Sequence, residues 1–186
     1  MRSYRRQKRV PKRVEIRISG LGGQGVVLAG EILGRAAVYD GKHAVQTQSY
    51  GAEARGSAAR SEVIISDEKV GFPKVRKCDI LVAMSQSALY KHLEDLKEGG
   101  TLLVDRDMVK KIPTIEAEIF TIPVTKIAET ELKSRIYANV VMLGVLTKIT
   151  GMVSEESVSK AILASVPEGT KEANLQGFKM GLQVVE

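Results

Sequence analysis

The chain has 186 residues, no tryptophan, one cysteine and two histidines, and only 4% of it is aromatic. Cys78 alone cannot form an internal disulfide, a CxxC redox pair or a four-thiolate cluster site. Iron–sulfur or structural zinc chemistry is therefore expected only on another chain. His43 and His92 are too few for most metal sites, and neither shows an acid or metal partner in sequence. No run approaches the roughly 18 consecutive apolar residues of a membrane span. The basic N-terminus is not followed by an apolar segment, so no secretory signal is expected. There is no P-loop pattern, and no nucleophile-and-base arrangement of the kind catalysis requires. No catalytic residue is assigned.

What is present fits a globular protein: 44% of residues are hydrophobic and 27% charged. A domain of this length buries about 70% of the surface its unfolded chain exposes. The net charge is +6, yet the first thirteen residues carry seven basic side chains and no acid, which leaves residues 14–186 at −1. The basic character belongs to a tail over residues 1–13, expected to be mobile, ahead of a single domain over residues 14–186. No RNA-binding signature with interleaved aromatics follows it, so nucleic acid is not expected as a partner.

Val14–Ser19 alternates apolar and polar residues and predicts a strand. Apolar residues then recur at three- and four-residue spacing from Val26 to Ala37 and predict an amphipathic helix ending near Tyr39. Further strands are predicted at His43–Gln48, Arg60–Ser66, Cys78–Met84, Thr101–Val104 and Glu118–Val124. Ser85 is the expected N-cap of a helix over Ser87–Leu96, which Gly99-Gly100 closes. Later helices are predicted at Thr125–Glu131, Ser134–Thr150, Ser154–Ser165 and Gly169–Val185. The second of these, Ser134–Thr150, is apolar nearly all round, which calls for burial in the core or in a subunit interface. Alternating strands and helices imply an α/β three-layer, Rossmann-like domain with a parallel or mixed sheet and helices on both faces.

Two segments carry the functional signal. Gly20-Leu21-Gly22-Gly23-Gln24-Gly25 fits G-x-G-x-x-G between a strand and a helix. In that motif the first glycine allows a tight turn, the second admits a phosphate to the backbone and the third packs helix on strand. A dinucleotide site also wants an acid at the end of the second strand, or an arginine for NADP, and Gln46-Thr47-Gln48-Ser49 offers neither. Three readings stay open: NAD(P), another anion, or a tight turn alone. The second segment is Ser49-Tyr50-Gly51-Ala52-Glu53-Ala54-Arg55-Gly56, read as an ordered loop after a strand end. Glu53 and Arg55 either pair with each other or offer Arg55 to an anionic ligand or a partner subunit. Asn139, inside an apolar helix, needs a buried hydrogen-bond partner, and Cys78 is expected to be an inert core thiol.

The pair of motifs GLGGQGV and SYGAEARG at this spacing, with Asn139 and Leu143-Gly144 in a late apolar helix, resembles the gamma subunit of 2-oxoacid:ferredoxin oxidoreductases. Leu21-Gly22 and Ser49 look more like the 2-oxoglutarate type than the pyruvate type, with pyruvate and branched-chain 2-oxoacids as alternatives and a free NAD(P)-binding protein as the rival class. The resemblance implies a cytoplasmic hetero-oligomer with alpha and beta chains, and a delta chain as a further candidate. These companions would hold thiamine diphosphate, Mg2+ and [4Fe-4S] clusters, use coenzyme A as a substrate and reduce ferredoxin. The isolated gamma chain would be inactive. It would contribute Gly20, Gly22, Gly23, Gln24 and Gly25, and Ser49, Tyr50, Gly51, Glu53, Arg55 and Gly56, as loops that contact coenzyme A or a partner.

Overall fold

The computed structural model describes residues 13–51 and 58–185. Six strands form one sheet: β1 (Arg13–Leu21), β2 (His43–Tyr50), β3 (Ala58–Ser66), β4 (Cys78–Ala83), β5 (Leu96–Asp105) and β6 (Glu118–Ile122). Their order is β2-β3-β1-β4-β5-β6. β1, β4, β5 and β6 pair in parallel, whereas β3 pairs antiparallel with both β1 and β2. β2 therefore runs in the direction of β1, and β3 is the reversed strand. Among the described residues six α-helices accompany the sheet: α1 (Val26–Tyr39), α2 (Gln86–His92), α3 (Val124–Glu131), α4 (Ala138–Thr150), α5 (Glu155–Ser165) and α6 (Lys171–Gln183).

The alternation read in β1 sets the two faces. Val14, Ile16 and Ile18 point into the larger core, with Ile32, Leu33 and Ala36 of α1, Val140 and Leu143 of α4, Ile162 of α5 and Phe178 of α6. Each large aliphatic buried there contributes about 1.5–3 kcal/mol before entropy is counted. The all-round apolar character of α4 has a direct cause: ten consecutive residues, Ala138–Thr147, are buried between α1, α3 and α6. Its approach to α6 is backbone to backbone. A Cβ on Gly144 would lie 2.2 Å from the Phe178 carbonyl oxygen, and one on Gly181 would lie 2.0 Å from that of Val141. The opposite face carries a smaller core of Ile64, Leu81, Leu102 and Val104 under Leu89 of α2 and Val75 and Val109 of the connecting segments.

Capping follows the sequence. Ser85 Oγ accepts from the Ala88 N–H at 3.2 Å and Ser154 Oγ from the Ser157 N–H at 3.1 Å. Four details differ from expectation. β1 begins at Arg13, paired with Ser66, so that residue lies in the sheet and not in the tail. α2 stops at His92 and a 3-10 turn over Leu93–Asp95 leads straight into β5. Gly99-Gly100 then lies inside β5: the register jumps between Cys78↔Leu96 and Ile80↔Thr101, and Gly99, at φ 68°, lets the surplus residues bulge out. β6 ends at Ile122 because Pro123 has no N–H to continue the ladder.

Candidate functional site

β1 delivers the glycine loop to the carboxyl edge of the sheet, beside the end of β4. Gln24 holds it there. Its N–H donates to the Leu21 carbonyl at 3.1 Å, its Oε1 accepts from the Leu21 N–H at 2.6 Å, and its Nε2 donates to the Met84 carbonyl at 2.7 Å. One side chain thus ties the ends of β1 and β4 together, and the position under it must be bare. A Cβ on Gly20 would stand 2.5 Å from Gln24 Oε1. Gly25, at φ 69°, is the N-cap of α1. A Cβ there would lie 2.4 Å from Asn139 Nδ2, which donates to the Gly25 carbonyl at 3.2 Å. The third glycine therefore makes room for helix α4 and not for the strand, as the general motif would have it. Gly22 and Gly23 are exposed, and Gly23, at φ 91°, has open space around its Cα. These two glycines are the ones free to face a ligand or a partner.

They border a cleft of about 250 Å³, with Gln24, Met108, Thr125 and Arg135 among its walls. Thr125 Oγ1 donates to Asp105 Oδ2, and Asp105 is fully buried at the end of β5. Burial pushes the Asp105 carboxyl above its ordinary range, against the opposing hydrogen bonds from Thr125 and the Asp107 N–H. Arg135 stands at the rim, 72% exposed, with Nη2 2.9 Å from Glu129 Oε1.

The second motif reaches the same edge. Ser49 pairs with Arg60 and Tyr50 with Ala59, and the Gly51 N–H donates to the Ala58 carbonyl at 2.8 Å. Ala58 in turn pairs with Leu21 of the glycine loop. Two motifs some 30 residues apart are therefore joined in one ladder. Glu53, Arg55 and Gly56, and with them the expected Glu53–Arg55 pair, lie outside the described residues.

The inserted β3 also explains why the loop departs from a dinucleotide site. It separates β2 from β1 by two strand spacings, about 10 Å, so the end of β2 is not beside the glycine loop. Gln46 is spent internally, with Nε2 donating to the Val27 carbonyl at 3.0 Å and to Ser61 Oγ at 2.9 Å.

Asn139 has the partner its burial demanded, through Nδ2, while its Oδ1 has none. Cys78 is buried and its thiol is pushed up to about 12 by desolvation. It is the chain's one thiol, and among the described residues no three His, Cys, Asp or Glu side chains converge to hold a metal. These residues do not fit an iron–sulfur cluster.

His92 does have an acid partner, contrary to the sequence reading. Its Nδ1 lies 3.2 Å from Asp95 Oδ2, one helical turn on. Asp95 also binds Arg17, whose Nε and Nη2 donate to Glu62 Oε1 at 2.9 and 2.6 Å. Arg17 is 3% exposed, so the polar side of the alternating strand is buried as an ion-pair network and not left to water. Alternation shows which residues share a face, but the partners of Arg17 lie 45 and 78 residues away and need the register to be known.

A sequence profile of the pyruvate ferredoxin/flavodoxin oxidoreductase family matches residues 15–184, and the chain belongs to that family. It is 57% identical over 183 residues to the 2-oxoglutarate synthase subunit KorC of Methanocaldococcus jannaschii, covering 97% of this chain and 98% of the relative. A keto/oxoacid ferredoxin oxidoreductase gamma subunit from Geobacter sulfurreducens superposes with a TM-score of 0.82 at 48% identity, over 91% of this chain and 96% of that one. The 2-oxoglutarate:ferredoxin oxidoreductase of Magnetococcus marinus, solved with 2-oxoglutarate, coenzyme A and succinyl-CoA, contains the same fold. It superposes at a TM-score of 0.82 and 25% identity over 92% of this chain and 31% of its own.

Proposed function

We propose that this chain is the gamma-type subunit of an oxidoreductase that converts 2-oxoglutarate and coenzyme A to succinyl-CoA and CO2 with ferredoxin as the electron acceptor. The observation that carries this reading is the 57% identity, end to end, to a subunit of 2-oxoglutarate synthase. In that reaction the carboxylate next to the ketone leaves as CO2, a thioester forms to the coenzyme A sulfur, and two electrons pass on. Alpha and beta chains, with a delta chain in a four-subunit form, hold thiamine diphosphate with Mg2+ and the [4Fe-4S] clusters, and the assembly works in the cytoplasm. This chain contributes its carboxyl edge. Gly22 and Gly23 of the first loop and Ser49–Gly51 of the second meet coenzyme A or a companion chain there, and Glu53, Arg55 and Gly56, which follow in the sequence, are assigned the same role. The exposed backbone of Gly22-Gly23 suits the first role, because phosphates bind free N–H groups at a helix N-terminus.

The test is reconstitution of the chain with its companions and a coenzyme-A-dependent viologen reduction assay on three 2-oxoacids. The reading predicts a kcat/KM for 2-oxoglutarate at least about tenfold above those for pyruvate and 3-methyl-2-oxobutanoate, equivalent to ~1.4 kcal/mol of discrimination. The chain alone should be silent. Preference for pyruvate would overturn the substrate. Full activity of the companions without this chain would overturn its role.

A further inference from the structure

On the face of the sheet opposite α1, the loop end of the β2–β3 hairpin and the end of α2 border a second pocket, of about 190 Å³, distinct from the cleft at Gly22-Gly23. That is several times the roughly 30 Å³ a water molecule occupies. Its polar lining comes from three elements: Ser49 and Tyr50 of β2, Arg60 of β3, and Lys91 and His92 of α2. Lys91 has no ion-pair partner among the described residues, and Arg60 is held only at 3.5 Å, through Nε, by Glu62. His92 is 3% exposed, with Nδ1 on Asp95.

We infer that this pocket binds an anionic group, a phosphate or a carboxylate of a small ligand, between Lys91, Arg60 and Nε2 of His92. Among the described residues, the charges that act on His92 are Arg17 from β1, Arg60 from β3 and Asp95 from the turn after α2, and Lys91 of α2 lines the pocket beside it. Glu62 and Asp95 are already engaged by Arg17, so the surplus positive charge lies on the pocket side. The inference rests on the proposed function at the second motif, whose Ser49–Gly51 line this pocket, and it is read by binding to the chain alone, so its failure is distinct from failure of the reconstituted complex.

The site has a built-in pH response. Burial lowers the His92 pKa, and Arg17 and Arg60 lower it further, against the hydrogen bond to Asp95 that raises it. The ring is therefore held toward its neutral form, with Nδ1 against Asp95. A bound anion favours protonation of Nε2. Binding takes up a proton, and affinity rises as pH falls.

Calorimetric titration of the full chain with orthophosphate, coenzyme A and 2-oxoglutarate in turn distinguishes the sources. Orthophosphate alone marks a free-phosphate site, coenzyme A alone a nucleotide phosphate, and 2-oxoglutarate alone a carboxylate. At least one should bind, more tightly at pH 6 than at pH 8. Lys91→Ala, an exposed position whose melting temperature should not move, should weaken that binding about tenfold, the loss of one charge-assisted hydrogen bond. His92→Gln should retain binding and lose the pH dependence. No binding of any probe at millimolar concentration, or binding unchanged in both variants, would overturn the inference.

Discussion

Asn139 and Gly25 lie 114 residues apart, yet the Asn139 amide donates to the Gly25 carbonyl and fills the space a side chain at Gly25 would need. Helix α4 is thereby latched to the start of α1, and the glycine loop is held from below by the core and from above by Gln24.

A double-mutant cycle measures this latch. Gly25→Ala meets both the positive φ and the close approach of Nδ2, and should cost about 1–3 kcal/mol. Asn139→Ala should cost only about 1 kcal/mol, because it also removes the unpaired buried Oδ1. The double variant should lose less than the sum of the two, since the contacts at 2.4 and 2.8 Å disappear and only the 3.2 Å approach of the residue 139 Cβ and the backbone strain remain. Strict additivity in denaturant titrations would show that the two residues are not coupled.

Gln24→Glu replaces the donor on Met84 with a carboxylate facing a carbonyl. The expected cost is about 1–3 kcal/mol at neutral pH, read from urea unfolding. Stability should return as pH falls through the raised folded-state value toward about pH 4, where the new carboxyl is protonated and donates again. A variant as stable as the parent at pH 7 would remove Gln24 from the account of the loop.

Cys78 should resist alkylation in the native chain. With its thiol pushed up to about 12, roughly one molecule in 10,000 carries a thiolate at pH 8. Iodoacetamide labelling should then proceed only as fast as unfolding. Rapid modification of the folded protein would contradict the burial.

Asp40 caps α5 from the end of α1: its carboxylate accepts from the Ser154 N–H, Ser154 Oγ and Ser157 Oγ at 2.6–2.7 Å. Burial raises its pKa, but these three hydrogen bonds outweigh that and hold it below the ordinary carboxylate value. The resulting stabilisation is present above about pH 4 and is lost as pH falls through the folded-state value. Asp40→Asn should therefore be less stable than the parent at pH 7, with the difference shrinking toward pH 2. A constant difference over that range would show that the carboxylate charge plays no part.

The parallel half of the fold was legible because its signals are local. The apolar spacing of Val26–Ala37, the run Cys78–Ala83 and the caps Ser85 and Ser154 each act within a few residues. The motifs GLGGQGV and SYGAEARG are local sequence signals of the same kind. The direction of β3 was not read, although only seven residues separate Tyr50 from Ala58, too few for a parallel crossover of a dozen or more. Arg17 with both acids was hidden because its partners lie 45 and 78 residues away and depend on how distant segments pack, whereas His92 and Asp95, three residues apart, were a local signal that the sequence reading missed. Gly99 was misplaced because a glycine that permits a bulge and one that ends a helix look alike in sequence.

The central claim is that the carboxyl edge carrying Gly22 and Gly23 is where this subunit does its work. Gly22→Val tests it most directly, because Gly22 is exposed and its side chain should leave the melting temperature of the chain unchanged. In the reconstituted complex the account predicts a loss of about tenfold or more in kcat/KM for coenzyme A, or failure of the companions to assemble. Normal assembly with parental kinetics would contradict it.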